Sequence, residues 1–190
     1  IVIEKEYLGG TCLNWGCIPT KALYHTAEVI ENIKKSSIFG VDVQEYSFDF
    51  VKAMDRKNKV IAAQRQGLEF HFRKNNIELI KGSGKLVSAG KISAVLEDGN
   101  RVEINAKNII IATGSFAGSV QPFILDGEGI IDNIGILSLD KVPESLLVVG
   151  GGVVGSEFAN IFASFGSKVT IVEILPGILS AEDAGVSNVI

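Results

Sequence analysis

Apolar and polar positions along the chain recur at two periods, and the switch between them divides it into elements. Residues 1–4, IVIE, are a β-branched run ending in an acid and read as a strand. From Pro19 to about Lys35 the apolar residues Ala22, Leu23, Ala27, Val29, Ile30 and Ile33 fall mostly at helical spacing. Residues 49–75 predict a second, longer helix with Asp49 as its cap and no internal proline. Strands are expected over 77–86, 91–98 and 101–113, with Asp98-Gly99 forming the tight turn between the last two. Residues 115–135, rich in Gly, Asp and Pro, read as a connection between domains. The pattern then sharpens: a strand over 146–149, a glycine turn, a helix to about Phe165, Gly166, and a strand over 168–173. That is a β-α-β unit, and with the preceding strands and helices it makes the fold class α/β. No internal repeat or low-complexity tract interrupts the pattern.

Composition narrows the function classes. The 190 residues suit one or two domains with a real core. A net charge of −4 leaves no basic footprint for nucleic acid or an anionic membrane. The longest nearly uncharged apolar run, LLVVGGGVVG (146–155), is far short of the roughly 20 residues of a membrane helix. The opening IVIEKE carries no signal-peptide pattern, and two cysteines are too few for a secreted disulfide framework. The expectation is a cytoplasmic protein.

The glycine turn carries the first candidate chemistry. Gly150, Gly152 and Gly155 have GxGxxG spacing, follow a strand, open a helix and precede an acid, Glu173, at the end of the next strand. In that context Gly150 permits the turn and Gly152 lets the backbone approach a pyrophosphate. Gly155, with Ala159, lets helix and sheet pack closely. The helix N-terminus offers free N–H groups to phosphate. Glu173 can accept hydrogen bonds from a ribose diol and repels a 2′-phosphate. ILPGIL (174–179) brings no Arg, so NAD is favoured over NADP. Glu4 ends the first strand in the same way and could serve a second dinucleotide, whose glycine turn would lie upstream of residue 1.

The only two cysteines lie in GGTCLNWGCIPTK (9–21). Three readings of Cys12 and Cys17 are open. A metal site would want more ligands, and His25 and His71 are distant, so no metal is expected. Two buried, inert thiols are possible. A redox disulfide is the third. On a regular helix residues five apart rise about 7.5 Å, too far for a disulfide. The segment must therefore bend, which Asn14, Gly16 and Pro19 permit, and a helix start would favour a thiolate.

GGTCLNWGCIPTK resembles the redox-disulfide signature of the class I pyridine nucleotide-disulfide oxidoreductases. IIIATGS (109–115) and VVGGGVVGSE (148–157) match two further motifs of that family in the same order. Within it, CLNWGCIPTKAL and Glu173 are most similar to the dihydrolipoamide dehydrogenase branch. The NADPH-dependent disulfide or mercuric reductases are the alternative.

The resemblance implies two Rossmann-like, three-layer domains, both incomplete here. Residues 1–141 would be a partial FAD-binding domain without its first β-α unit, and 142–190 a partial NAD-binding domain. A C-terminal dimerisation domain would be absent, so the segment alone would be a non-catalytic fragment of a homodimeric parent. It further implies that FAD is held by Glu4, Gly10, Thr11, Gly84, Thr113, Gly114 and Ser115. Lys21 would sit by the flavin and pair with Glu157, which borders the nicotinamide pocket. Gly150, Gly152, Gly155 and Glu173 would hold NAD. Cys12 would be the thiol that exchanges with a dihydrolipoyl group on a lipoyl-protein partner, and Cys17 the thiol facing the flavin. The catalytic base would be a His outside this sequence, since neither His25 nor His71 stands in its motif.

Overall fold

The structure is a computed structural model, and it describes residues 1–118 and 121–189. Ser119 and Val120, inside the expected connection of 115–135, and Ile190 lie outside the described residues.

The chain opens with β1 (Val2–Glu4), followed by a short helix α1 (Gly10–Trp15) and then α2 (Cys17–Lys34). The apolar spacing predicts a helix only from Pro19, whereas α2 starts at Cys17 and the short α1 precedes it. Gly16 separates the two helices with φ −129° and ψ −117°, outside the helical region. Asp49 accepts from the backbone N–H of Lys52 and caps α3 (Phe50–Lys74), the expected N-terminus.

The strands β2 (Leu79–Ser88), β3 (Lys91–Leu96) and β4 (Arg101–Asn105) form an antiparallel meander, and β1 joins its edge in parallel with β2. Gly82 marks where β2 passes from the β1 ladder to the β3 ladder. Its φ is +158°, and a Cβ there would stand 2.2 Å from Val95 O, so only glycine fits. The turn between β3 and β4 is the expected one: Asp98 accepts from Asn100 N–H, and Gly99 takes φ +85°.

The strand expected over 101–113 is corrected: it ends at Asn105. The ladder closes where Ala106 N–H donates to Gly90 O at 2.9 Å. Residues 109–113, IIIAT, carry no strand assignment, and Ile110 and Ile111 are 90% and 73% exposed. β-branched residues favour a strand only where a neighbouring strand offers a ladder and a surface to pack on. None lies beside this run among the described residues.

The connection ends in one turn of helix, α4 (Asn133–Ile136), capped by Asp132, whose carboxylate accepts from Ile134 and Gly135 N–H. The final unit is as expected: β5 (Ser145–Val149), α5 (Val153–Ser164) and β6 (Lys168–Val172), with β5 and β6 parallel. A last turn, α6 (Ala184–Ser187), follows.

One apolar core joins these parts. Leu23, Ala27 and Ile30 of α2 meet Phe50, Ala53 and Met54 of α3, Ile136 and Leu137 of the α4 turn, and Phe158, Ile161, Phe162 and Phe165 at α5. Phe162, Leu23 and Ile161 are fully buried. Lys57 of α3 is buried with them and donates from Nζ to Leu137 O, and burial pushes its pKa down. The helix that starts at Cys17 and the helix that starts behind the glycine turn are therefore packed on each other.

Candidate functional site

Gly16 sets the geometry of the cysteine loop. A Cβ there would lie 3.0 Å from both Thr11 O and the Cys12 Cα, so the chain folds back on itself closely only with glycine. The fold-back brings the Cα atoms of Cys12 and Cys17 to 4.7 Å, and the two residues form a disulfide. Both are exposed. Of the residues expected to bend the segment, Gly16 makes the bend, whereas Asn14 holds it. The buried Asn14 amide donates to Leu8 O at 3.1 Å and Gly10 O at 2.8 Å. Pro19 sits in the first turn of α2, where its missing N–H costs nothing.

Three contacts bring other sequence-predicted residues to this loop or to the glycine turn. Thr11 and Ser115, 104 positions apart, are joined by three hydrogen bonds. The Thr11 hydroxyl donates to Ser115 O at 3.1 Å and accepts from Ser115 N–H at 3.1 Å and from its hydroxyl at 3.3 Å. Gly114, with φ +80°, makes that approach possible. Lys21, one turn along α2 from Cys17, forms an ion pair with Glu157 of α5. Glu173 closes the glycine turn, accepting from Gly151 N–H at 2.6 Å and Leu175 N–H at 2.9 Å. The N–H groups of Leu175 and then Gly151 hold its carboxyl below the ordinary range.

Glu4 ends β1, where its carboxylate accepts from Glu6 N–H at 2.9 Å. Gly84 stands against that strand: a Cβ on it would lie 3.3 Å from the Ile3 Cδ1. Thr113 directly precedes Gly114 in the exposed run.

The glycine turn is tightly wound at two of its three glycines. Gly150 takes φ +104°, and a Cβ on Gly155 would stand 2.1 Å from Gly150 O. Gly152, by contrast, has ordinary φ −72° and ψ −178°, and a Cβ there meets nothing within 4 Å. Neither strain nor packing within the chain requires glycine at 152, and its Cα faces open space. Gly152 is the N-cap of α5 and supplies no side-chain cap, so the first-turn N–H groups receive no capping side chain from it. A cavity of about 910 Å³ opens here, lined by Gly150, Gly152 and Val153 on one side and Leu125, Ile131 and Leu139 on the other.

Several supporting residues escaped the sequence reading. Asn133 donates from Nδ2 to Trp15 O at 2.7 Å and ties the connection to the cysteine loop. Ile178 packs on Gly151, where a Cβ would lie 2.6 Å from its Cγ2. Arg65 donates from Nε to Asn14. Such contacts leave no local spacing signal. Among the described residues no helix is long and apolar enough to cross a membrane, and no group of three or more His, Cys, Asp or Glu is placed to hold a metal ion.

Comparison with known proteins is concordant. The family model described as pyridine nucleotide-disulphide oxidoreductase matches residues 1–190. A dihydrolipoyl dehydrogenase of Chlorobaculum parvum is 44% identical over 98% of this chain and 40% of its own length. That of Bacillus subtilis is 39% identical over 99% of this chain and 41% of its own. Among solved structures, LpdA from Mycobacterium tuberculosis superposes with a TM-score of 0.89 at 26% identity, covering 99% of this chain and 41% of that one. The HOCl-induced flavoprotein disulfide reductase RclA from Escherichia coli gives 0.77 at 35% identity, covering 98% and 39%. The chain thus spans about 40% of the length of the curated relatives it matches.

Proposed function

From the premise that this chain belongs to the pyridine nucleotide-disulphide oxidoreductases, we propose that its full-length protein is a dihydrolipoyl dehydrogenase. It would oxidise dihydrolipoyl groups carried by a lipoyl-protein partner, as a component of a 2-oxo acid dehydrogenase or glycine cleavage complex. One observation carries the reading. The Cys12–Cys17 disulfide starts a helix whose Lys21 is paired with Glu157 of the helix behind the dinucleotide turn. A dithiol-reactive centre and a pyridine-nucleotide turn are thereby joined in one rigid core.

A dihydrolipoyl thiolate attacks the sulfur of Cys12, and the Cys12–Cys17 bond breaks with Cys17 leaving as a thiolate. The second lipoyl thiolate then closes the lipoyl disulfide and releases Cys12. The lipoyl dithiol is oxidised, the cysteine pair is reduced, and the two protons pass to a base outside these residues. Lys21 stabilises negative charge beside Cys17, and Glu157 fixes the direction of its ammonium group. Flavin, when bound, would supply the electron acceptor for the reduced cysteine pair.

Residues 1–141 are assigned to FAD binding and 142–190 to NAD binding. The residues present fit both groups. Thr11 and Gly114-Ser115 form a hydrogen-bonded crossing of small and hydroxyl residues, suited to a flavin nucleotide with Gly10, Thr113, Gly84 and the acid Glu4. The open space beside Gly152 supports the approach of a pyrophosphate to the backbone. Each carboxylate oxygen of Glu173 accepts a backbone N–H and can accept a further hydrogen bond from a ribose diol. Its negative charge disfavours a 2′-phosphate, so NAD is the nucleotide. The full-length protein is expected to be a homodimer and to work in the cytoplasm.

Dihydrolipoamide-dependent reduction of NAD by the full-length protein is the test. Turnover with NAD, lost on Cys12→Ser or Cys17→Ser, is the expected result. A preference for NADPH with another disulfide would overturn the reading.

A further inference from the structure

Contacts around the cysteine loop converge on one side chain of α3. Arg65 is half-buried, and its Nε donates to Asn14 Oδ1 at 2.5 Å. Its guanidinium carbon lies 3.8 Å from the centroid of the Tyr7 ring. That ring in turn meets Trp15 edge-on, with centroids 5.8 Å apart. Asn14 spends its amide protons on Leu8 O and Gly10 O. One planar cation thus spans the residues before Cys12 and the residues between Cys12 and Cys17.

We propose that Arg65 is a positioning residue for the Cys12–Cys17 couple. By pinning Asn14 and Tyr7 to α3 it keeps the loop in the fold-back that holds the two sulfurs at bonding distance. This rests on reading the cysteines as the redox couple of the proposed enzyme.

Two effects of Arg65 oppose each other. Holding two thiols in place removes the loop-ordering entropy that closing the disulfide would otherwise cost, and so favours the disulfide. A nearby cation favours thiolates, and so favours the dithiol. The guanidinium already lies on a ring, bonds a carboxamide and is partly solvated, which weakens its reach to sulfur. Positioning wins, so loss of Arg65 makes the couple easier to reduce.

The sign of the shift is the test. The full-length protein and its variants are equilibrated in dithiothreitol redox buffers and alkylated, and the Cys12 and Cys17 peptides are quantified by mass spectrometry. Arg65→Gln and Arg65→Lys are both expected to move the equilibrium toward the dithiol by about three- to tenfold, tenfold being about 30 mV for a two-electron couple. Tyr7→Leu, which removes the ring but no charge, moves it the same way by less. No shift, or a shift toward the disulfide in Arg65→Gln with Arg65→Lys unchanged, overturns the proposal; the latter result makes Arg65 a charge effect. A wild-type couple that never forms the disulfide overturns both this proposal and the dehydrogenase reading, whereas a normal wild-type titration with unmoved variants overturns Arg65 alone.

Discussion

Replacing Gly152 and Gly155 separately by Ala separates the two reasons for glycine in one turn. At Gly155 the added methyl would stand 2.1 Å from Gly150 O and 3.0 Å from Val148 Cγ1. Ordinary contact starts near 3.4 Å, so a backbone carbonyl must move by more than about 1 Å. Overpacking of this kind costs about 1–3 kcal/mol, and a backbone obstacle belongs at the upper end. Helix propensity of Ala over Gly offsets about 1 kcal/mol, which leaves a net loss of about 1–2 kcal/mol.

At Gly152 the terms nearly cancel. The backbone angles suit Ala, and its methyl meets nothing. The loss of unfolded-state entropy stabilises by about 0.4–1 kcal/mol, and the poorer fit of Ala than Gly at an N-cap offsets about as much, so stability stays near level. A ligand's pyrophosphate would meet that methyl, and binding should weaken at least about tenfold, or about 1.4 kcal/mol. Thermal scanning and NADH titration of the full-length protein read both quantities. Gly155→Ala should lower Tm, whereas Gly152→Ala should leave it about level while losing NADH affinity. If Gly152→Ala destabilises as much as Gly155→Ala, or binds NADH like the wild type, the open space at Gly152 is not a ligand's space.

Further outcomes are expected. Glu173→Val combined with an Arg in the 174–179 segment should move the ratio of kcat/KM from NAD toward NADP, measured by steady-state kinetics with both nucleotides. The carboxyl of Glu173 titrates below its ordinary value of 4.5 in the folded protein, so its contribution to stability is fully present above that pH and is lost as pH falls through the lower folded value. Glu173→Gln should therefore flatten the acid limb of a Tm-against-pH curve. Lys57 titrates below its ordinary 10.5 because it is buried, so the unfolded chain holds its proton to higher pH. Wild-type stability should accordingly gain on that of Lys57→Met as pH rises toward 10.5, which paired denaturant titrations would show.

The elements that could be read from the sequence are those whose signal is local. The cap at Asp49, the apolar stripe of α2 and the strand-glycine-helix run at 146–165 each announce themselves within a few residues. The run IIIAT failed because strand formation is decided by a neighbour, and β-branched composition says nothing about whether one lies alongside. The division at Gly16 was half visible: the spacing of the cysteines demanded a bend, but which of Asn14, Gly16 and Pro19 supplies it depends on close contact with Thr11. Arg65, Asn133 and Lys57 looked like ordinary polar positions. Each matters through a partner 51, 118 or 80 residues away, and periodicity carries no record of such distances.

The pairing of Lys21 with Glu157 spans 136 positions of chain, and it limits how this architecture can be recombined. A nucleotide-binding unit taken from another protein and spliced in after residue 141 would inherit the linker but not the seam. Unless the donor carries an acid at 157, Lys21 would lose its counter-charge beside the cysteines. Unless it also carries bulky groups at 158, 162 and 165, the apolar faces of Leu23 and Phe50 would be left uncovered. Shuffling among relatives with a cut anywhere along 115–141 should therefore succeed where the incoming parent carries those groups at 157, 158, 162 and 165, and fail where it does not.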